Sequence, residues 1–202
     1  ASCDSRKGAS MRLLIMGPPG AGKGTQACHV ATHYGLVAVS SGDLFRKHIK
    51  AQDTLGKRVS ALIAAGEFVP DVVTTSMVFR RLLQPDARPG WLLDGYPRTL
   101  GQVEALDIAQ REIGTKIDAV ISLVADPTAL VGRMLKRAEL EGRADDNAES
   151  ISKRIEVYYA ETEPVMSVYA DRGLVVEVDA LGEVDDVTRR LTAALDAKLT
   201  AS

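Results

Sequence analysis

Cysteine is scarce in this chain of 202 residues: Cys3 and Cys28 are the two it has. They form no C-x-x-C pair, so a zinc site of the usual kind is not expected, nor is a structural disulfide. Cys3 stands in a polar tail and Cys28 in a predicted helix, which fits a reduced, cytosolic compartment. Histidine is scarce as well. His29 and His33 fall on one predicted helix and His48 on a later one, and all three read as surface or packing residues. Few candidates are left for a general base. Charge of one sign is lacking too: the formal net charge is -2, so nothing draws the whole chain to nucleic acid or an anionic membrane. A protein that binds one nucleotide needs only a local basic pocket. Long apolar runs are missing, and none reaches the ~20 residues of a membrane span. The opening ASCDSRKGAS has no signal-peptide core, and Ala1–Ser10 reads as an expression leftover or a disordered native tail. Internal repeats and low-complexity segments are also absent.

What is present describes one compact domain of residues 11–202 with small insertions. Apolar residues make up 46% and charged residues 26%, an ordinary globular balance. Met11–Met16 (MRLLIM) is a continuous apolar run ending at Gly17, the pattern of a strand buried on both faces. A helix is expected over Gly22–Tyr34 and a strand over Leu36–Val39. Three helical stretches follow, Asp43–Lys50, Thr54–Ala65 and Asp71–Leu83. Trp91–Leu93 is a strand closed by Asp94, Thr99–Ile113 a helix, and Ala119–Leu123 a strand. Pro127 opens a helix to about Leu140. Asp146 is expected to cap the next helix, with Glu149 completing a capping box, and Pro164 to kink or break it. Leu174–Val178 is the fifth strand and Val184–Leu199 the closing helix. Strands alternating with helices predict an α/β fold: a five-stranded parallel sheet with helices on both faces. The helical stretch Asp43–Leu83 is long for one crossover and reads as a small subdomain.

The strongest local signal is GPPGAGKGT, Gly17–Thr25, with a strand leading in and a helix leading out. The spacing Gly17-x-x-x-x-Gly22-Lys23 is that of a P-loop. Glycines let successive backbone N–H groups turn inward around a phosphate, and the helix N-terminus adds its positive dipole end. Lys23 supplies a full charge for the β- and γ-phosphates. Gly24 stands where a Ser or Thr usually follows the lysine, so Thr25 is the hydroxyl on hand for a magnesium ion. Asp94, at the end of a buried strand, is placed to hold that ion directly or through its waters.

Arginine is abundant where phosphates would need it. Arg133 and Arg137 are i,i+4 neighbours, with Lys136 beside them, and like charges so placed repel unless an anion lies between. Arg143 follows in GRADD, Arg154 on the next helix, Arg46 after Asp43, and Arg98 in GYPR. Singly, each is an ordinary surface residue. Beside a P-loop they supply the planar, bidentate cations that phosphoryl transfer uses. A phosphate acceptor, already anionic, needs no base, which matches the shortage of candidate bases.

At this point the chain resembles the adenylate kinases, within the nucleoside monophosphate kinases. The landmarks run in order from Met11 to the last helix: GPPGAGKGTQ, SSGDLFR, AGEFVP, LLDGYPRT with Gln102 beyond, GRADDNAESISKRIEVYYAETEP, and VDALGEVDDV. The resemblance implies a P-loop kinase core, an AMP-binding insertion at about residues 40–69 and a short lid at about 137–143. It implies that Gly20, Ala21, Gly22, Lys23, Gly24 and Thr25 hold the ATP phosphates. Arg133 would lie against the ATP adenine and Gly182 would touch it through its backbone. AMP would be bound by Ser41, Arg46, the backbone of Glu67, Phe68 and Val69, then Gly95, Tyr96, Pro97, Arg98 and Gln102, whose amide matches the polar edge of adenine. Arg137, Arg143 and Arg154 would close on the phosphates, with Lys23 and Arg98 completing the catalytic set and Arg143 and Arg154 also facing AMP. The implied reaction is ATP + AMP = 2 ADP, in adenine nucleotide homeostasis. The implied cofactor is Mg2+ without zinc, the implied partners are ATP, AMP and ADP, with no nucleic acid and no membrane, and the implied state is a cytoplasmic monomer.

Two departures stand out: Ser41 replaces the usual Thr, and the lid has no room for the hairpin of longer forms. The nearest alternative is a UMP/CMP kinase, which has the look of S-A-G-E at the position of SSGD and P-R-N at that of PRT; this chain has neither. A P-loop kinase for a hydroxylated metabolite would want a base. A switch GTPase would want a guanine-reading N-K-x-D, which is missing.

Overall fold

The computed structural model describes residues 10–126, 130–136 and 147–201. Five parallel strands form one sheet in the order β2-β3-β1-β4-β5: β1 Met11–Met16, β2 Val37–Ser40, β3 Gly90–Asp94, β4 Ala119–Val124 and β5 Val175–Asp179. Leu13 of the central β1 stands beside Leu92 on one side and Ala119 on the other. Its two faces explain the unbroken apolar run. Leu13 and Ile15 join a core with Val30 of α1 (Lys23–Tyr34) and Leu191 and Leu195 of α9 (Val184–Ala201). Leu14 and Met16 point the other way, into a core with Val78 of α4 (Asp71–Leu82), Leu106 of α5 (Leu100–Glu112) and Tyr169 of α8 (Glu163–Asp171). Helices thus cover both faces, as expected of a wholly parallel sheet. Burying each such aliphatic side chain is worth about 1.5–3 kcal/mol.

A third, smaller core belongs to the stretch between β2 and β3. Phe45 of α2 (Ser41–Ala51), Val59 of α3 (Thr54–Ala64), Val69 and Met77 pack together there. The long crossover therefore has an interior of its own. Between β4 and α7 (Ala148–Val157), residues 130–136 are helical (α6). Pro127, the segment 137–146 and residues 1–9 lie outside the described residues, and with them the expected helix start, the lid and most of the tail. Among the described residues no helix is long and apolar enough to cross a membrane.

The elements differ from the sequence expectation at their ends, for local reasons. β2 and β5 begin one residue late because Leu36 and Leu174 are still closing helices. Leu36 N–H bonds Ala31 O at 2.8 Å and Leu174 N–H bonds Tyr169 O at 3.1 Å, each just after a glycine. α2 begins at Ser41 rather than Asp43 because Ser40 caps it, accepting from Asp43 N–H at 3.3 Å. The cap of α7 is Asn147, not Asp146. Asn147 Oδ1 accepts from Ser150 N–H at 2.9 Å and Ser150 Oγ accepts from Asn147 N–H at 3.1 Å, so Ser150 takes the part expected of Glu149. Pro164 does interrupt the helix. A π-helical turn, Tyr158–Thr162, precedes α8, which starts with the proline in its first turn. The widened turn spares the proline ring a clash with a carbonyl and absorbs its missing N–H.

Candidate active site

The loop between β1 and α1 bends over the C-terminal edge of the sheet. Gly20 has φ +85°, and a Cβ there would stand 2.7 Å from Leu130 O, so only glycine lets the loop lie this close to α6. Lys23 is the first residue of α1 and folds back over the loop, Nζ donating to Gly17 O at 2.8 Å and Pro18 O at 2.9 Å. The first intrahelical bond of α1 runs from Gln26 N–H to Gly22 O at 3.0 Å. The amides of Gly24 and Thr25 therefore have no carbonyl one turn behind them, and they face outward with the positive end of the helix dipole.

Before this loop opens a cavity of about 630 Å³, within the range of roughly 300–1,000 Å³ usual for small-molecule sites. Gly20, Ala21, Gly22, Lys23, Gly24 and Thr25 line it, as do Asp94, Arg133 and Gly182. Arg133 reaches across from α6 to donate from Nη1 to Ala180 O at 3.1 Å, beside the turn that carries Gly182. Among the described residues, the Thr25 hydroxyl and the Asp94 carboxylate have no hydrogen-bond partner, and a Cβ on Gly24 would lie 3.7 Å from Asp94 Oδ2. These hard oxygen donors beside a phosphate loop suit Mg2+, which binds through one or two protein oxygens plus phosphates and waters.

A second, narrower cavity of about 130 Å³ lies between the sheet edge and α2–α4. Ser41, Arg46, Glu67, Phe68, Val69, Gly95, Pro97, Arg98 and Gln102 all line it, so the expected set converges, apart from Tyr96. Tyr96 is buried beneath it, its hydroxyl 3.1 Å from Thr75 Oγ1, and burial pushes its phenol up to about 12. The side chains here bond one another. Ser41 Oγ donates to Gly95 O at 2.7 Å, and Arg98 Nε donates to the same oxygen at 2.9 Å. Gly95 has φ +77°, and a Cβ there would meet Ser41 Oγ at 2.6 Å and Arg98 Nη2 at 2.7 Å. The Arg98 guanidinium lies 5.5 Å from the centre of the Phe68 ring, and Arg46 Nη2 pairs with Asp43 Oδ1 at 2.5 Å.

The two cavities meet at a set of cations. Lys23, Arg46, Arg98 and Arg154 each line both. They come from α1, α2, the β3–α5 loop and α7, so the fold gathers onto one boundary residues up to 131 positions apart (Lys23 to Arg154). In a chain with a net charge of -2 this is a local concentration of cationic side chains, of a kind that attracts anions.

Comparison with known proteins agrees with that arrangement. The family model described as adenylate kinase matches residues 15–174. An adenylate kinase of Clavibacter michiganensis subsp. michiganensis is 55% identical over 184 residues, covering 91% of this chain and 92% of the relative. Those of Leifsonia xyli subsp. xyli (53%, covering 91% and 92%) and Nocardioides sp. (51%, covering 92% and 97%) are similar to nearly the same extent. The chain belongs to the adenylate kinase family. It is accordingly a nucleoside monophosphate kinase, a phosphotransferase, and the adenylate reading is favoured over the UMP/CMP one.

For a member of the adenylate kinase family, the structure adds residues that the sequence did not single out. Asp71, the first residue of α4, accepts from Gln102 Nε2 at 2.7 Å and from Thr99 Oγ1 at 2.6 Å. Gln102, expected as a base reader, is 2% exposed and bonded at both ends of its amide, since Oε1 also accepts from Arg98 N–H at 2.7 Å. Tyr158 and Thr162, of the π-turn, line the narrow cavity as well, and burial pushes the Tyr158 phenol up to about 12. The Pro164 signal pointed to a break there but not to its place beside the site. Arg137 and Arg143 lie outside the described residues.

Proposed function

We propose that the chain catalyses the reversible transfer of the γ-phosphoryl group of ATP to AMP, giving two ADP, as a cytoplasmic monomer serving adenine nucleotide balance. The observation that carries the reading is the set of four cations, Lys23, Arg46, Arg98 and Arg154, common to the walls of both cavities. In-line transfer needs the donor and acceptor phosphates on one axis, with charge neutralised on the equatorial oxygens. ATP takes the wide cavity. The Gly20–Thr25 amides and Lys23 hold its β- and γ-phosphates, and its adenine lies towards Arg133 and Gly182. AMP takes the narrow cavity, with Arg46 and Arg98 on its α-phosphate and its base against Val69, Ser41 and Gln102. Arg154, and by resemblance Arg137 and Arg143, act on the phosphates in flight. Thr25 and Asp94 would hold Mg2+, which would supply positive charge to offset that of the donor phosphates. The acceptor oxygen is anionic near neutral pH, so no side chain need take a proton from it.

The test is a coupled assay with ATP, magnesium and each of AMP, dAMP, GMP, CMP and UMP. A site whose polar groups pair with one base edge rejects another by large factors, so kcat/KM for AMP should exceed that for UMP or CMP by at least about 10²-fold. CMP or UMP used as well as AMP would overturn the named acceptor.

A further inference from the structure

We infer that Asp71 is a positioning residue for base choice: it holds the Gln102 amide in one of its two orientations. This rests on the reading of the narrow cavity as the AMP site. A glutamine amide is nearly symmetric in shape, and turning it over exchanges a donor for an acceptor. A free Gln at position 102 could therefore serve either of two opposite base edges.

The surroundings of Gln102 remove that freedom. On one side Oε1 faces the Arg98 backbone N–H at 2.7 Å, a group that can only donate. On the other, Nε2 faces Asp71 Oδ1 at 2.7 Å, and an ionised carboxylate can only accept. The reversed amide would set N–H against N–H and oxygen against carboxylate, two repulsions at a side chain that is buried, Gln102 being 2% exposed. Asp71 is itself fixed: its Oδ2 accepts from Thr99 Oγ1 at 2.6 Å, and Thr99 Oγ1 accepts from Gln102 N–H at 3.2 Å while capping α5. Gly101 lets α5 come this close, because a Cβ there would stand 3.1 Å from Asp71 Oδ2. The Tyr96 hydroxyl bonds Gln102 O at 3.3 Å and steadies the backbone.

These bonds use one N–H of Nε2 and one lone pair of Oε1. One N–H and one lone pair remain, in a fixed left-to-right order. Adenine presents an acceptor at N1 beside a donor at its 6-amino group. Hypoxanthine presents the reverse, a donor at N1 and an acceptor at O6. An amide locked by Asp71 pairs with the first and opposes the second, and an unlocked amide serves both. Selection of AMP over IMP, which are nearly equal in shape, is then set by a residue on α4 that need not touch the base.

The experiment compares wild type, Asp71→Ala and Asp71→Asn for kcat/KM with AMP and with IMP, alongside the KM for ATP. Asp71→Ala should lower kcat/KM for AMP by about tenfold, the scale of one hydrogen bond, and leave or raise that for IMP, so that the AMP:IMP ratio falls at least about tenfold. Asp71→Asn, which keeps one acceptor, should restore part of the ratio, and the KM for ATP should not move. Equal losses with AMP and IMP, as from a loosened α4–α5 junction, would overturn the inference, as would an unchanged ratio. A second measurement needs no nucleotide. The Gln102 side-chain NH2 signals in 15N NMR should be protected from exchange in the wild type and lose protection in Asp71→Ala; signals already unprotected in the wild type would contradict the lock. If wild type uses UMP or CMP as well as AMP, the substrate reading falls instead, and the NH2 signals alone decide whether Asp71 holds the amide.

Discussion

The wide cavity has a loop of glycine backbone for one wall, whereas the narrow one is walled by side chains that bond each other. One wall of the wide cavity is made by the loop glycines, the start of α1 and the turn at Gly182, and Lys23 folds onto two loop carbonyls. Around the narrow cavity Ser41, Gly95, Arg98, Gln102, Asp71 and Thr99 form one connected set of hydrogen bonds. On the proposed assignment, the difference follows from what each cavity would recognise. Phosphates are alike in every nucleotide, and backbone N–H groups with a helix dipole can hold them without reading a base. A base edge is a pattern of donors and acceptors, and reading it takes side chains held in one orientation.

The largest expected effect lies where the two regions meet. Lys23→Met should lower kcat by about 10²-fold or more, the scale of losing one electrostatic contact in the transition state, with the fold retained. Near-normal kcat in a folded variant would remove Lys23 from the mechanism. Next come paired changes on the narrow side. Arg98→Ala should reduce kcat/KM for every monophosphate alike, by about 10–100-fold, because charge-assisted bonds to an α-phosphate carry no base information. Gln102→Ala should instead narrow the gap between AMP and the pyrimidine monophosphates by about tenfold, one hydrogen bond's worth. Were both variants to change affinity without changing preference, the proposed split between phosphate and base residues would be wrong.

A smaller effect is expected from Gly95→Ala. The left-handed backbone alone costs about 1–2 kcal/mol, and the new Cβ must displace Ser41 Oγ and Arg98 Nη2. The KM for AMP should rise while the KM for ATP stays put; a shift in ATP alone would contradict the side-chain network. The smallest effect concerns pH. Burial holds the Tyr96 and Tyr158 phenols at about 12, above their ordinary value of 10.0. Between about pH 10 and 12 the unfolded chain binds fewer protons than the folded one at these groups, so stability falls as pH rises. Urea midpoints should decline over that window and owe nothing to these phenols below it. A midpoint flat to pH 12 would contradict their protonation in the folded state.

The same division decides what could be read from the sequence. The wide cavity's loop is one continuous motif, Gly17–Thr25, and its chemistry is visible in nine letters. The strands were legible because β1 is apolar on both faces, and the end of α1 because Gly35 follows its last residue. The narrow cavity was legible only through resemblance to a family. Its bonds join residues 31 apart, Asp71 to Gln102, and 54 apart, Ser41 to Gly95, and no local pattern announces either. Asp71 passed for an ordinary helix start. Asn147 displaced Asp146 as a cap because either residue type serves, and the choice rests on where the Ser150 hydroxyl falls.

In the proposed mechanism two nucleotide sites meet end to end at Lys23, Arg46, Arg98 and Arg154. Titration with two adenosines joined through five phosphates tests it most directly. One analogue should bind per chain, displacing ATP and AMP together and binding more tightly than either, with amide exchange slowed across both Gly20–Thr25 and Ser41–Val69. Two analogues per chain, or displacement of one nucleotide without the other, would contradict it.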